Sequence, residues 1–210
     1  MRGVRPALAI VVAALGTAAC GVDHEALPNF HVAEGETIVF LGDSLTAGAR
    51  LGKERAYPAL LAAALPYEIV NAGENGDTTA DALARFDRDV ASRDPAIVVV
   101  LIGGNDGLRR GSREAARANV TRIVERIVDV GAVPVVVGFD MGLFGAGFTA
   151  FLAEVADATG ALYLDDVLDD VLRSPSLKID RVHPNEEGHA RIAAALEEPL
   201  LALIAALEAR

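Results

Sequence analysis

Five short runs of Val, Ile and other apolar residues punctuate the chain, at residues 37–41, 67–71, 96–102, 133–139 and 161–164. None alternates with polar residues, so each reads as a strand covered on both faces, which is the habit of parallel sheets. Between them lie segments with apolar residues at three- and four-residue spacing, at 57–65, 79–91, 112–131, 148–160 and 185–209, which read as amphipathic helices. Ser112 suits an N-cap, and Gly131 and Gly160 suit helix stops. Strand and helix in alternation build βα units, and right-handed crossovers fold these into a three-layer α/β sandwich. The expected architecture is a five-stranded parallel sheet of flavodoxin-like, doubly wound type.

A length of 210 residues with 52% hydrophobic content suits one domain with a real core. The formal charge of −11, without a run of Lys and Arg, argues against a nucleic-acid surface. The start of the chain is separate in character. Residues 1–19 carry two early arginines, a short apolar stretch and then small residues, the pattern of a secretory signal peptide. Residues 7–19 are too few to cross a bilayer, which takes roughly 20 apolar residues. The small residues before Cys20 resemble a bacterial lipobox, with Thr17 where leucine is usual. The expectation is an exported bacterial protein, periplasmic or at the cell surface, anchored in the membrane through lipid on Cys20; the alternative is secretion after cleavage near Ala19. Cys20 is the only cysteine, so no intrachain disulfide supports the fold. Residues 20–35 read as a tether and 36–210 as the folded domain.

In open parallel sheets, ligands bind beyond the carboxyl ends of the strands. Four polar or glycine-containing blocks fall there: "GDSLTAG" after the first strand, "NAGENGDTT" after the second, "GGNDG" after the third and "DRVHPN" before the last helix. These blocks, in this order, resemble the SGNH (GDSL) hydrolase superfamily from Ile38 to the C-terminal helix. Each also makes chemical sense by itself. Ser44 sits between a strand end and a helix start, where backbone N–H groups favour negative charge; it is the expected nucleophile. Of the four histidines, His24 and His31 fall in the tether and His189 on the last helix, leaving His183 as the base. Asp180, three residues earlier, can reach the second ring nitrogen of His183 and fix its tautomer. Thr46 stands where a G-x-S-x-G nucleophile elbow would carry its second glycine, so the common α/β-hydrolase pattern is absent.

The resemblance supplies the rest of the expected site. It implies an oxyanion hole made by the backbone N–H groups of Ser44 and Gly73 and the side-chain amide of Asn105, with Asp43 and Asp106 bracing the loops. "GENGDTTADALARF" and "LIGGNDGLRRG" look most like the bacterial arylesterase, acyl-CoA thioesterase and lysophospholipase group. That implies a serine esterase acting on small-molecule or lipid esters and thioesters through an acyl-enzyme, with activity rising through roughly pH 6 to 8 as a histidine base loses its proton. Carbohydrate acetyl esterases and acyltransferases share the triad, and a non-catalytic binding lipoprotein would share the fold. No cofactor is implied, and Asp180, His183 and His189 follow no common metal-ligand spacing. The apolar stretch after the fourth strand offers Met141, Leu143 and Phe144 as contacts for an acyl chain.

Overall fold

A computed structural model describes residues 22–140 and 147–210; the signal segment with Cys20, and Met141, Leu143 and Phe144, lie outside the described residues. Along the chain run β1 (Thr37–Gly42), α1 (Ser44–Ala47), α2 (Tyr57–Leu61), β2 (Glu68–Gly73), α3 (Thr79–Ala84), α4 (Phe86–Asp89), β3 (Pro95–Leu101), α5 (Gly104–Leu108), α6 (Arg113–Asp129), β4 (Val133–Val137), α7 (Phe151–Thr159), β5 (Leu162–Leu164), α8 (Asp169–Arg173) and α9 (Glu186–Glu208). The five strands pair in the order β2-β1-β3-β4-β5, every pair parallel. This is the flavodoxin-like order expected from the sequence.

Every residue of β1, β3 and β4 is buried. Successive strand residues point to opposite faces, so uniform burial requires cover on both. α2 packs against α9, and α3, α6 and α7 pack in a row, giving the two helical layers. β2 and β5 lie at the edges and are only partly buried. Ser112 caps α6 by accepting the Ala115 N–H, and Gly160, with φ +73, ends α7 in the left-handed conformation that a glycine adopts without a Cβ penalty.

Some boundaries differ from the pattern in the sequence. The expected helix 79–91 is broken at Arg85, which ends α3 and begins α4. Its side chain turns inward, pairing with Asp77 at 2.6 Å and Asp89 at 3.0 Å and donating to the Gly42 carbonyl at 3.0 Å. The stretch 22–35, expected as part of a loose tether, is tied to the domain. Phe30 and Ala33 are buried in the core. Asn29 Nδ2 donates to the carbonyls of Val128 (2.8 Å) and Ala132 (3.0 Å), satisfying acceptors at the end of α6. The Arg210 guanidinium holds the carbonyls of Phe30 and Ala33. A Pro/Asn-containing segment without periodicity can still dock when one aromatic residue and one amide find partners.

Candidate active site

β1 delivers its last residues into a turn too tight for a side chain at Gly42, where a Cβ would stand 2.1 Å from Thr46 Oγ1. Asp43 then caps α1, its Oδ1 accepting the Leu45 N–H at 3.0 Å. Ser44 is thereby the first residue of α1 and half-buried at the carboxyl edge of the sheet. Its own N–H has no acceptor among the described residues, as helix-start amides often do not.

The partner side chains arrive on a loop before α9. That loop is held by its own bonds: Ile179 N–H to His183 O at 2.8 Å, Asn185 N–H to Leu177 O at 2.9 Å, and Asn185 Nδ2 to Ser176 O at 2.8 Å. Asn185 also caps α9, accepting the Gly188 N–H at 3.0 Å. Within the loop, Asp180 Oδ1 accepts the N–H groups of Val182 and His183, both at 3.0 Å. Asp180 Oδ2 lies 2.8 Å from His183 Nδ1, and His183 Nε2 lies 3.0 Å from Ser44 Oγ. Partial burial pushes the Asp180 carboxyl up, but the N–H groups of His183 and Val182, with the His183 ring, hold it well below the usual carboxylate range. An ionised carboxylate only accepts, so Nδ1 carries the imidazole proton and the Nε2 lone pair faces the Ser44 hydroxyl. The structure thus brings Ser44, His183 and Asp180 into one hydrogen-bonded series.

Asn105 sits in the first turn of α5, after Gly103, whose φ of +117 turns the chain out of β3. Its Nδ2 donates to Asp77 O at 2.9 Å and, more loosely, to Asp43 Oδ2 at 3.3 Å. Asp43 is buried, and burial pushes its carboxyl up to about 6; the Leu45 N–H and His183 oppose this, while Asp77 and Asp106 add to it. Asp106 grips α3, accepting Thr79 N–H at 2.9 Å and Thr79 Oγ1–H at 2.7 Å. Asp43 and Asp106 are therefore bound into the loops.

Gly73 departs from expectation. Its N–H is already donated to Asn71 Oδ1 at 3.0 Å, and a Cβ there would meet Ala47 N at 2.3 Å. The residue is a glycine because β2 packs directly on the α1 backbone, and its amide is not open to a ligand. Within the same block the N–H groups of Asn75 and Gly76 have no acceptor among the described residues, and Gly76 directly precedes Asp77, whose carbonyl holds Asn105. Gly76 has φ +84, its carbonyl accepts Arg109 Nη2 at 2.7 Å, and the next carbonyl is the Asp77 acceptor of Asn105. "NAGENG" contains two glycines, and only the hydrogen-bond partners distinguish them.

Ser44, His183 and Asn105 open on a cleft of about 80 Å³ whose other walls include Leu45, Leu108, Leu172 and Val182. Leu172 lies on α8, whose five residues are too few to show a helical period in the sequence.

A doubly wound parallel sheet with a Ser-His-Asp series at its carboxyl edge defines a serine hydrolase. The chain belongs to the GDSL-like Lipase/Acylhydrolase family, whose sequence model matches residues 40–191. It is 28% identical over 186 residues to the Thioesterase 1/protease 1/lysophospholipase L1 of Escherichia coli K12, covering 85% of this chain and 89% of that one. Among solved structures it resembles TesA (28% identity, TM-score 0.73, covering 80% of this chain and 99% of that one). It also resembles AlinE4, an SGNH-hydrolase family esterase (31% identity, TM-score 0.63, covering 80% and 96%). The protein is an SGNH-type serine esterase.

Proposed function

We propose that Ser44 attacks the ester carbonyl while His183 Nε2 takes the hydroxyl proton, Asp180 holding the resulting imidazolium. The developing oxyanion is met by the Ser44 N–H, the Asn105 amide and, in place of Gly73, the Gly76 N–H. Asn105 can turn its loose bond to Asp43 toward the oxyanion while keeping Asp77 as its anchor. The tetrahedral species collapses, the alcohol or thiol leaves with the proton from His183, and water hydrolyses the acyl-Ser44 with the same base. The observation that carries this reading is the unbroken series Ser44 Oγ, His183 Nε2, His183 Nδ1, Asp180 Oδ2.

The cleft beside Ser44 is small and apolar, which favours esters and thioesters of short acyl chains. Hydrolysis of p-nitrophenyl acetate, butyrate and octanoate by the wild type and by Ser44→Ala tests the assignment. The wild type should prefer the shorter esters and the variant should lose at least a thousandfold; turnover retained by Ser44→Ala would overturn it.

Export and lipidation at Cys20 complete the reading. Val22 and His24 line one hollow with Ala206 in the last turn of α9 and Ala209 just past its end, whereas the first turn of α9 adjoins the His183 loop. At 1.5 Å per residue, the 23 residues of α9 separate the two by roughly 35 Å. A lipid anchor attached ahead of Val22 would join the described fold at the far end of α9 from Ser44, which favours substrates that reach the site from water. Metabolic labelling with radioactive palmitate should mark the wild type and not Cys20→Ser; label retained by that variant would contradict lipidation at Cys20.

A further inference from the structure

Bonds inside the loop fix Asp180 and His183 relative to each other, but they do not fix the loop relative to Ser44, which lies 139 residues away from His183. Three links join it and α9 to residues 50–57, the chain that follows the nucleophile helix. Arg50 Nε lies 3.0 Å from Asp180 Oδ2. Arg55 Nη1 pairs with Glu186 Oε1 at 2.8 Å, and the Tyr57 N–H donates to His189 Nδ1 at 3.3 Å. Tyr57 in turn bonds Thr46 of α1 through its hydroxyl at 2.9 Å. Of these links, only Arg50 touches the triad itself.

Arg50 also has an unusual backbone. It adopts φ +69 between Gly48 at +71 and Gly52 at +96. A left-handed conformation is unfavourable for a residue with a Cβ, and such residues concentrate where the surrounding structure holds them for function. Glycine would suit this position by backbone alone, yet an arginine occupies it with its guanidinium against the triad carboxylate.

We propose that Arg50 is a positioning residue of the esterase: it registers the Asp180–His183 loop on the nucleophile helix and lends a positive charge to the outer side of Asp180. The inference rests on the Ser44 triad reading above. Arg50 acts through Asp180, whose Oδ2 it shares with His183 Nδ1. The charged or titratable groups facing the His183 ring are Asp180 from its own loop, Asp43 from the β1–α1 turn and His189 from α9, with Arg50 beyond Asp180. Taking Arg50 away leaves the two carboxylates less opposed, so the acid limb of the activity profile moves to higher pH.

Arg50→Gly is the discriminating variant, because it removes the guanidinium while relieving the backbone. Expected are a melting temperature equal to or above that of the wild type, a KM for p-nitrophenyl acetate within about twofold, and a kcat lower by roughly 5- to 30-fold. The acid limb of the kcat/KM profile should move up by a few tenths of a pH unit. Arg50→Lys should restore part of both effects, and the displacement of the limb between the wild type and Arg50→Gly should shrink in 1 M NaCl. An Arg50→Gly enzyme with wild-type kcat and acid limb overturns the proposal, whatever its melting temperature. Ser44→Ala run in parallel separates the two ideas. If it is inactive while Arg50→Gly is normal, only the role of Arg50 falls; if it is active, the triad reading falls and takes this one with it.

Discussion

Asp43 and Asn105 face each other beneath the cleft, carboxylate Oδ2 to amide Nδ2 at 3.3 Å, with Asp43 buried next to the nucleophile. Burial raises the Asp43 carboxyl from 3.8 to about 6. For an acid raised on folding, the stability contribution is full below pH 3.8 and is lost as pH rises through about 6, by on the order of 3 kcal/mol. Asp43→Asn should therefore gain stability relative to the wild type as pH rises from 4 to 7. It should also lower kcat by roughly 10- to 100-fold, because Asn105 then faces an amide instead of a carboxylate. Thermal melts across that range and kcat at pH 7.5 check both halves.

His189 titrates with the opposite sign. It is fully buried on α9, and burial, with the charge of His183, lowers it from 6.5 to about 4. Its contribution is present above pH 6.5 and is lost as pH falls through about 4, again on the order of 3 kcal/mol. His189→Asn offers an acceptor to the Tyr57 N–H without titrating. Its melting temperature should fall less than that of the wild type between pH 7 and 4.5. Parallel curves would show that His189 is not the acid-sensitive group.

The two glycines of "NAGENG" should respond differently to a methyl group. Gly73→Ala places a Cβ against the backbone of Ala47 and Thr46, which cannot give way, and should destabilise the fold severely. At Gly76 the nearest atom is Arg109 Nη2 at 3.5 Å, so Gly76→Ala should fold with only the left-handed penalty of about 1 kcal/mol. Denaturant unfolding of the two variants measures the difference.

Leu172 of α8 borders the cleft beside Ser44. Leu172→Ala removes about three carbons from the wall, and each methylene accommodated is worth roughly 1–3 kcal/mol. The ratio of kcat/KM for hexanoate over acetate should rise at least tenfold, with the acetate value within about threefold of the wild type. Equal change on both esters would place the acyl chain elsewhere.

Much of this arrangement is written in the chain. The uninterrupted Val and Ile of residues 97–100 and 135–137 admit only a strand covered on both faces, so the parallel sheet is legible without coordinates. Ser44 and His183 are legible because a serine at a strand end needs a base and the other three histidines fall in the tether or on the last helix, whereas Asn105 is legible through the family resemblance. What stays hidden depends on tertiary partners. The N–H of Gly73 is consumed by Asn71, a contact without a sequence signal. Residues 29–33 dock because α6 ends with carbonyls that Asn29 can reach, and Arg85 breaks a good helical pattern because Asp77, Asp89 and Gly42 surround its guanidinium. Arg50 and Leu172 belong to a turn and a short helix, where periodicity carries no information.

The most direct test of the central claim is the covalent one. Incubation with a fluorophosphonate should phosphonylate the enzyme once, stop ester hydrolysis, and place the added mass on the peptide containing Ser44, with labelling greatly slowed in His183→Ala. An adduct on another residue, or full esterase activity in enzyme already modified at Ser44, would contradict the account.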